Sequence, residues 1–179
     1  NTRFSDKAFV EKIAESAKGK KGTVAKVEKT AKKTPPPAAY DLTELQRDAN
    51  KKYGYSAKQT LSLMQSLYEY HKVLTYPRTD SRYITDDIVA TIPERLRAMA
   101  VGPYQSSAMK LARNPVQTKY IVNNAKVSDH HAIIPTEQSP NLAKLSYEER
   151  NIYDLVVRRF MAVLSAPMEY DEVKLQIDI

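Results

Sequence analysis

The chain has 179 residues, room for one full domain or a domain with pieces of a neighbour, and its hydrophobic share of 42% is enough for a core and argues against global disorder. With no cysteine, disulfide frames and thiolate metal sites are excluded, which suits a reducing compartment. The net charge of +7 favours a polyanionic partner, nucleic acid before membrane, and no apolar run approaches the roughly 20 residues that cross a bilayer.

Ser5 opens a predicted helix over residues 5–18, with Phe9, Val10, Ile13, Ala14 and Ala17 on one face and Gly19 as its stop. The lysine-rich stretch that follows alternates like a short strand around residues 23–29. Three consecutive prolines, 35–37, fit neither a helix interior nor a central strand and predict an extended spacer with a boundary there. Beyond it the pattern turns helical. Asp41 and Glu44 form a capping pattern for a helix whose apolar face is Leu42, Leu45, Ala49 and Tyr53, closed by Gly54. Ser56 and Gln59 start a second helix with Ala57, Leu61, Met64, Leu67 and Tyr68 inward. The short turn between the two resembles a helix-turn-helix, a shape that also serves as plain scaffold.

VLTYPRTDSRYI then runs extended, because Pro77 biases Tyr76 away from helical angles. Thr85 caps a further helix interrupted near Pro93, and Gly102-Pro103 breaks the chain before a short helix at 104–111. Residues 113–145 show no clear periodicity. Ser146 and Glu149 make a capping box for the last helix, with Ile152, Tyr153, Val156, Phe160, Val163 and Leu164 on one stripe and Pro167 as its stop. EYDEVKLQIDI alternates as a strand and ends without a turn signal. With Asn1 rather than Met at the start, the chain is expected to be a piece of a longer protein. The expected fold is mainly α: a helical domain, 39–166, inserted between short β-containing pieces at 1–38 and 167–179.

The chemistry is concentrated in TYPRTDSRY, residues 75–83. A free tyrosine has a pKa of about 10, so only about 0.1% is phenolate at pH 7. A nucleophilic tyrosine therefore needs adjacent positive charge. In extended chain alternate side chains share a face, so Tyr76 and Arg78 project together with Asp80 third in line. Arg78 can hold a phosphate oxygen beside the phenol, and Asp80 can orient that guanidinium or a histidine. The pattern suits phosphoryl transfer to tyrosine. Taken alone, the same residues are more simply a tyrosine packed on a helix with Arg78 and Asp80 paired at the surface. Tyr83 is a second phenol in the same stretch.

LTYPRTDSRYI resembles the active-site tyrosine segment of type IA DNA topoisomerases, the topoisomerase III branch in particular. PPPAAYDLTELQRDANKKYGYSAKQTLSLMQSLYE is similar to the stretch that precedes it in that family, and DHHAIIPT, residues 129–136, resembles the second active-site segment. The resemblance implies Tyr76 as nucleophile, Arg78 beside the scissile phosphate, and His130, the first of the histidine pair, as the active-site histidine. His131 is expected to diverge from His130 in extended chain. Asp80 is a supporting residue. Lys58, Arg82, Arg158 and Arg159 are candidate contacts to backbone phosphates, although solvated charge is the ordinary role of each. The implied fold is a helical, winged-helix-like tyrosine domain inserted into a β-rich hinge domain.

The implied reaction cuts one DNA strand, leaves a 5′-phosphotyrosine and a free 3′-hydroxyl, and reseals without ATP. In the family a Toprim domain holds Mg2+ with a glutamate and an Asp-x-Asp pair. No Asp-x-Asp occurs here, so magnesium and its ligands are expected outside this chain, and the chain on its own is expected to be inactive. DNA, mainly single-stranded, is the implied partner, a helicase is a candidate partner in the cell, and a bacterial source implies a cytoplasmic, nucleoid-associated place. Two rivals stand beside this reading. One is a non-enzymatic, winged-helix-like DNA-binding module, whose function would survive Tyr76→Phe. The other is a tyrosine recombinase or type IB enzyme, which surrounds its nucleophile with separated arginines; an arginine within the tyrosine motif favours type IA.

Overall fold

The computed structural model describes residues 4–113 and 117–179. Residues 1–3 of the first predicted piece and 114–116 of the aperiodic stretch lie outside the described residues. The chain divides into two compact units, one of residues 35–167 and one that combines residues 4–34 with 168–179.

In the smaller unit α1 spans Lys7–Ala17, and its cap is Asp6 rather than Ser5: the Asp6 carboxylate accepts from the Phe9 N–H at 3.1 Å. A carboxylate one residue closer to the first turn meets the free N–H groups better than the serine does. The apolar stripe read from the sequence exists but is open, with Phe9 51% and Ile13 47% exposed. Strand β1, Thr23–Thr34, pairs antiparallel with β2, Met168–Asp178, from Thr23 opposite Asp178 to Thr34 opposite Met168. The strand therefore runs on past residue 29. Its lysine-rich second half carries no hydrophobic alternation, and the partner strand supplies what holds it. Lys29 meets Asp171 at 2.8 Å, Lys32 meets Glu172 at 2.7 Å and Lys33 meets Glu169 at 2.6 Å.

The larger unit enters through residues 35–37, which have no regular structure. Asp41 then caps α2, Leu42–Tyr53, by accepting from the Glu44 N–H at 2.7 Å. Gly54 ends it at φ +74°, a left-handed conformation that a side chain would strain, and its N–H reaches the Asn50 carbonyl at 2.8 Å. Ser56 caps α3, Ala57–Gln65. The chain continues with α4 (Ile92–Ala98), α5 (Gln105–Arg113) and α6 (Tyr147–Val163). The core forms where α6 lays its stripe of Ile152, Tyr153, Val156 and Phe160 among Leu45, Met64 and Leu67. All of these are buried, as is the rest of the stripe predicted for α6. Regular sheet is confined to the smaller unit among the described residues. In 35–167 the β structure amounts to isolated bridges, Tyr40 with Ile133, Leu74 with Pro135 and Ile84 with Val122.

Two local expectations are corrected. Tyr68 and Ala57 face outward, and Thr60 takes the inward position, its hydroxyl donating to the Ser56 carbonyl at 3.0 Å. For Tyr68 the cause is a π-helical turn, Ser66–Tyr70, directly after α3, in which the His71 N–H reaches back to the Ser66 carbonyl at 3.0 Å. A wide turn offsets the helical periodicity, so a stripe extrapolated at 3.6 residues per turn fails at Tyr68. The chain leaves this turn through Lys72 at φ +56°. Further on, Thr85 makes no side-chain cap, Asp86–Thr91 is 3₁₀, and Pro93 sits in the first turn of α4 instead of interrupting a helix. Proline lacks only an N–H that the first turn leaves unpaired anyway.

The π-helical turn is fastened to α6 through Glu149. The capping box puts the Glu149 Oε2 2.7 Å from the Ser146 N–H, while Oε1 accepts from the Ser66 hydroxyl at 2.6 Å and lies 3.3 Å from His71 Nε2. Burial, the largest single influence, pushes this carboxyl up, but Ser66, Ser146 and His71 together outweigh it and hold it below the ordinary glutamate value. A depressed carboxyl contributes stability that is present above its unfolded pKa of about 4.3 and is lost as pH falls through the lower folded value. Glu149→Gln is therefore expected to cost about 1–3 kcal/mol at neutral pH. The difference from the parent chain should shrink as pH falls from about 4.3 through the lower folded value, as read by urea unfolding across that range.

Candidate active-site tyrosine and its surroundings

From 75 to 82 the side chains alternate. Pro77, Thr79 and Ser81 are buried and Thr75 is half-buried, whereas Arg78 and Asp80 are exposed and Tyr76 and Arg82 half-buried on the opposite side. The threonines hold this register against residues 130–136. Thr75 donates its N–H to the Ile134 carbonyl at 3.0 Å and its hydroxyl to the Ala132 carbonyl at 3.2 Å, and that hydroxyl accepts from the Ile134 N–H at 3.0 Å. Thr79 donates its hydroxyl to the His130 carbonyl at 2.9 Å and accepts from the Ser81 N–H at 3.1 Å. The Thr136 N–H reaches the Val73 carbonyl at 3.1 Å, so the two segments run antiparallel. Arg95, buried beneath them, donates to the Pro135 carbonyl at 2.8 Å and pairs with Glu137 at 2.7 Å.

This arrangement brings Tyr76 and His130 together. Their ring centroids lie 4.2 Å apart at 38°, and the Tyr68 ring meets that of Tyr76 edge-on at 5.5 Å and 82°. Two hollows flank the stacked pair. Tyr76 lines the first, about 620 Å³, with Tyr68, Glu69, Lys72, His131 and Thr136. His130 lines the second, about 440 Å³, with Arg78, Asp80, Asp129 and Thr43. Tyr76 and Arg78 thus share a face of the extended segment but open onto different hollows.

The two histidines also diverge. His131 Nδ1 lies 2.8 Å from the Ala132 carbonyl, which can only accept, so Nδ1 carries the proton. Burial pushes the His131 pKa down, which leaves the ring neutral near pH 7 with its other nitrogen an acceptor. Among competing phenols, burial raises the pKa values of Tyr40, Tyr104 and Tyr153, and these tyrosines stay protonated. Tyr83 lies under the Lys126 ammonium, 5.0 Å from its ring centre.

The candidate phosphate contacts fall into two groups. Arg82 is held by Asp41 at 2.7 Å and Glu44 at 3.0 Å, and Arg158 by Asp154 at 2.7 Å. Arg159 pairs with Asp48 at 2.6 Å, donates to the Ala38 carbonyl at 3.2 Å and sits 4.2 Å over the Tyr40 ring. Arg78 and Lys58 are exposed and make no side-chain hydrogen bond or ion pair among the described residues. Thr75, Thr79, Tyr68 and Lys72 are the site residues that the motif reading passed over. The period-two alternation of 75–81 carried the signal for the threonines; nothing local carried it for Tyr68. Among the described residues no group of three His, Asp or Glu side chains can hold a metal ion. Asp80, Asp129 and His130 line the second hollow but do not form such a group among the described residues. No helix among the described residues is long and apolar enough to cross a membrane.

A family model described as DNA topoisomerase matches residues 1–179. A DNA topoisomerase 3 of Bacillus cereus (strain ATCC 14579) is 53% identical over 180 residues, which cover 100% of this chain and 25% of that protein. The DNA topoisomerase 3 of Bacillus subtilis (strain 168) is 50% identical over 179 residues, covering 99% of this chain and 25% of its own length. The chain therefore spans about a quarter of the length of the relatives it matches. Among solved structures, full-length topoisomerase I from Thermotoga maritima shares the fold with a TM-score of 0.66 at 23% identity, over 99% of this chain and 28% of that one.

Replacing Thr79 by valine keeps the side-chain shape and removes both hydroxyl contacts, leaving the His130 carbonyl and the Ser81 N–H without that partner. The expected loss is about 1–3 kcal/mol in chemical denaturation, with Thr79→Ser close to the parent chain.

Proposed function

This chain belongs to the DNA topoisomerase family, and from that premise we propose that it carries the nucleophile of a type IA enzyme, Tyr76, in a protein that cuts and reseals single DNA strands. The observation that carries the reading is the Tyr76 ring stacked at 4.2 Å on His130, with the unpaired Arg78 two residues on along the same face. The 39–166 stretch is then the tyrosine domain, and 1–38 with 167–179 are pieces of the hinge domain into which it is inserted. Its likeness to a winged helix rests on α2, the Gly54 turn and α3.

Tyr76 Oη attacks phosphorus. The phosphorus–Oη bond forms as the phosphorus–O3′ bond breaks; the phenol gives up its proton, and the departing 3′-oxygen takes one up to become a hydroxyl. The 5′-phosphotyrosine keeps the bond in ester form, so the reverse attack by the 3′-hydroxyl reseals the strand without ATP. Arg78 holds a non-bridging oxygen with its planar pair of donors and offsets the charge that builds there. His130 fixes the plane of the phenol by stacking and reaches the same phosphate, while Asp80 lines the same hollow as Arg78 without pairing with it among the described residues. Arg82, Arg158 and Arg159 reach DNA only by leaving their carboxylates, so Lys58 is the stronger backbone contact of the four. Magnesium has no ligand set among the described residues. We assign it to parts of the protein outside this chain, and none of these steps uses it. The substrate is single-stranded DNA, a helicase that supplies it is a partner, and a bacterial cell then places the protein at the nucleoid.

The full-length protein tests this on an end-labelled single strand, with the covalent complex trapped and the attached peptide identified by mass spectrometry. Attachment at Tyr76 through a 5′-phosphate is expected, with none detectable in Tyr76→Phe. Arg78→Lys should slow capture on the order of tenfold or more, since charge remains and the two-donor grip is lost. His130→Ala should slow it more than His131→Ala. Attachment at Tyr83, or a 3′-phosphotyrosine, would refute the assignment. Persistence of full DNA-linked function in Tyr76→Phe would favour a non-enzymatic binding module. The 179-residue chain by itself should leave supercoiled DNA intact in magnesium buffer, and its affinity for a single-stranded oligonucleotide should fall steeply with salt.

A further inference from the structure

Tyr76 lines the first hollow, whereas Arg78 and His130, which meet phosphate in the reaction above, line the second. The first hollow has a different chemistry. Its walls are the Tyr76 ring, the Tyr68 ring set edge-on to it, Leu74 and the neutral His131. Its polar groups come from Glu69, Lys72 and Thr136. The Glu69 carboxylate disfavours a phosphate and accepts from base amino groups, while aromatic walls stack on any base. At about 620 Å³ the hollow lies within the range of small-ligand sites, roughly 300–1,000 Å³.

The wall is built by irregular backbone. The π-helical turn Ser66–Tyr70 carries Tyr68 and Glu69, and the left-handed Lys72 follows it. Such turns recur at functional sites because they re-aim side chains that a regular helix would bury. Here the turn leaves a large aromatic side chain 37% exposed beside the candidate nucleophile. Glu149 and His71 anchor it from below, so the wall is held in place before anything binds.

We propose that this hollow is a nucleobase site, and that it receives the base of the nucleotide whose 5′-phosphate Tyr76 captures. That nucleotide is the one that stays linked to the Tyr76 phenol, and the phenol ring is itself a wall of the hollow. The base is stacked against Tyr68 while the strand is cut, which keeps the phosphotyrosine aligned for resealing. The inference rests on the reading of Tyr76 as nucleophile.

The test uses the full-length protein and oligonucleotides that are abasic at one position. Removing the base immediately 3′ to the scissile phosphate should lower the yield of the Tyr76 adduct roughly tenfold or more, the range that single base–aromatic stacks give. In Tyr68→Ala that dependence should largely disappear, and in Tyr68→Phe it should remain. A second reading avoids activity altogether: 2-aminopurine at that position should be quenched in the non-covalent complex of Tyr76→Phe and brighten when Tyr68→Ala is added. An adduct that forms equally well on the abasic strand, or a base dependence unchanged in Tyr68→Ala, would overturn the base site while leaving Tyr76 as nucleophile. No adduct at Tyr76 on any strand would overturn both. The abasic comparison changes only the DNA, so it decides the matter even if Tyr68→Ala folds poorly.

Discussion

The site depends on the antiparallel run of residues 73–79 against 130–136, and that run depends on two threonine hydroxyls. Thr75 and Thr79 each use one oxygen to satisfy main-chain groups on a segment more than fifty residues away, 57 for Thr75 to Ala132 and 51 for Thr79 to His130. Those carbonyls and N–H groups lie against a buried Ile133 and Ile134, where an unpaired polar group is costly. With the threonines turned inward, period-two geometry sends Tyr76, Arg78 and Asp80 outward with no further choice. The same bonds decide where the histidine pair arrives. His130 comes to stack on the tyrosine, and His131 turns to the other hollow.

The support beneath this run is polar as well as apolar. Arg95 reaches the Pro135 carbonyl and Glu137 from below, and Glu149 joins the π-helical turn to the start of α6. α6 is the longest helix described and carries the central apolar stripe, so the tyrosine segment is tied through a few hydrogen bonds to the most firmly packed element of its unit. In the proposed role Tyr76 must meet phosphorus in line, and such a mounting serves that role because a small displacement of the reacting atoms costs rate steeply.

Net charge says less about DNA than its size suggests. The +7 total is a net sum in which the ion pairs of Arg82, Arg158 and Arg159 with carboxylates already cancel, so it does not say which cations face solvent. Arg159 in particular is a structural residue, lying over Tyr40 and tying α6 to the entry of the unit. Near the tyrosine the exposed cations among the described residues include Arg78 and Lys72. A formal sum fixes the sign of the long-range field, and only the pairing of individual side chains fixes where an anion can settle.

By itself the sequence determined the helices that carry their own punctuation. α2, α3 and α6 begin at Asp41, Ser56 and Ser146 as their capping residues dictate, and α2 ends at Gly54, because caps act within one turn and need no distant partner. It also determined that Tyr76, Arg78 and Asp80 share a face, since a proline-containing extended segment alternates regardless of its surroundings. Tertiary structure decided what local periodicity cannot encode. The length of β1 came from its antiparallel pairing with a strand more than a hundred residues away, and the outward turn of Tyr68 came from a π-helical turn fastened by Ser66 and His71 to Glu149. The stacking of Tyr76 on His130, and the division of the site into two hollows, came from threonine hydroxyls closing loops of fifty residues and more. Contacts of that span are set by the packing of the whole unit, which no window of neighbouring residues contains.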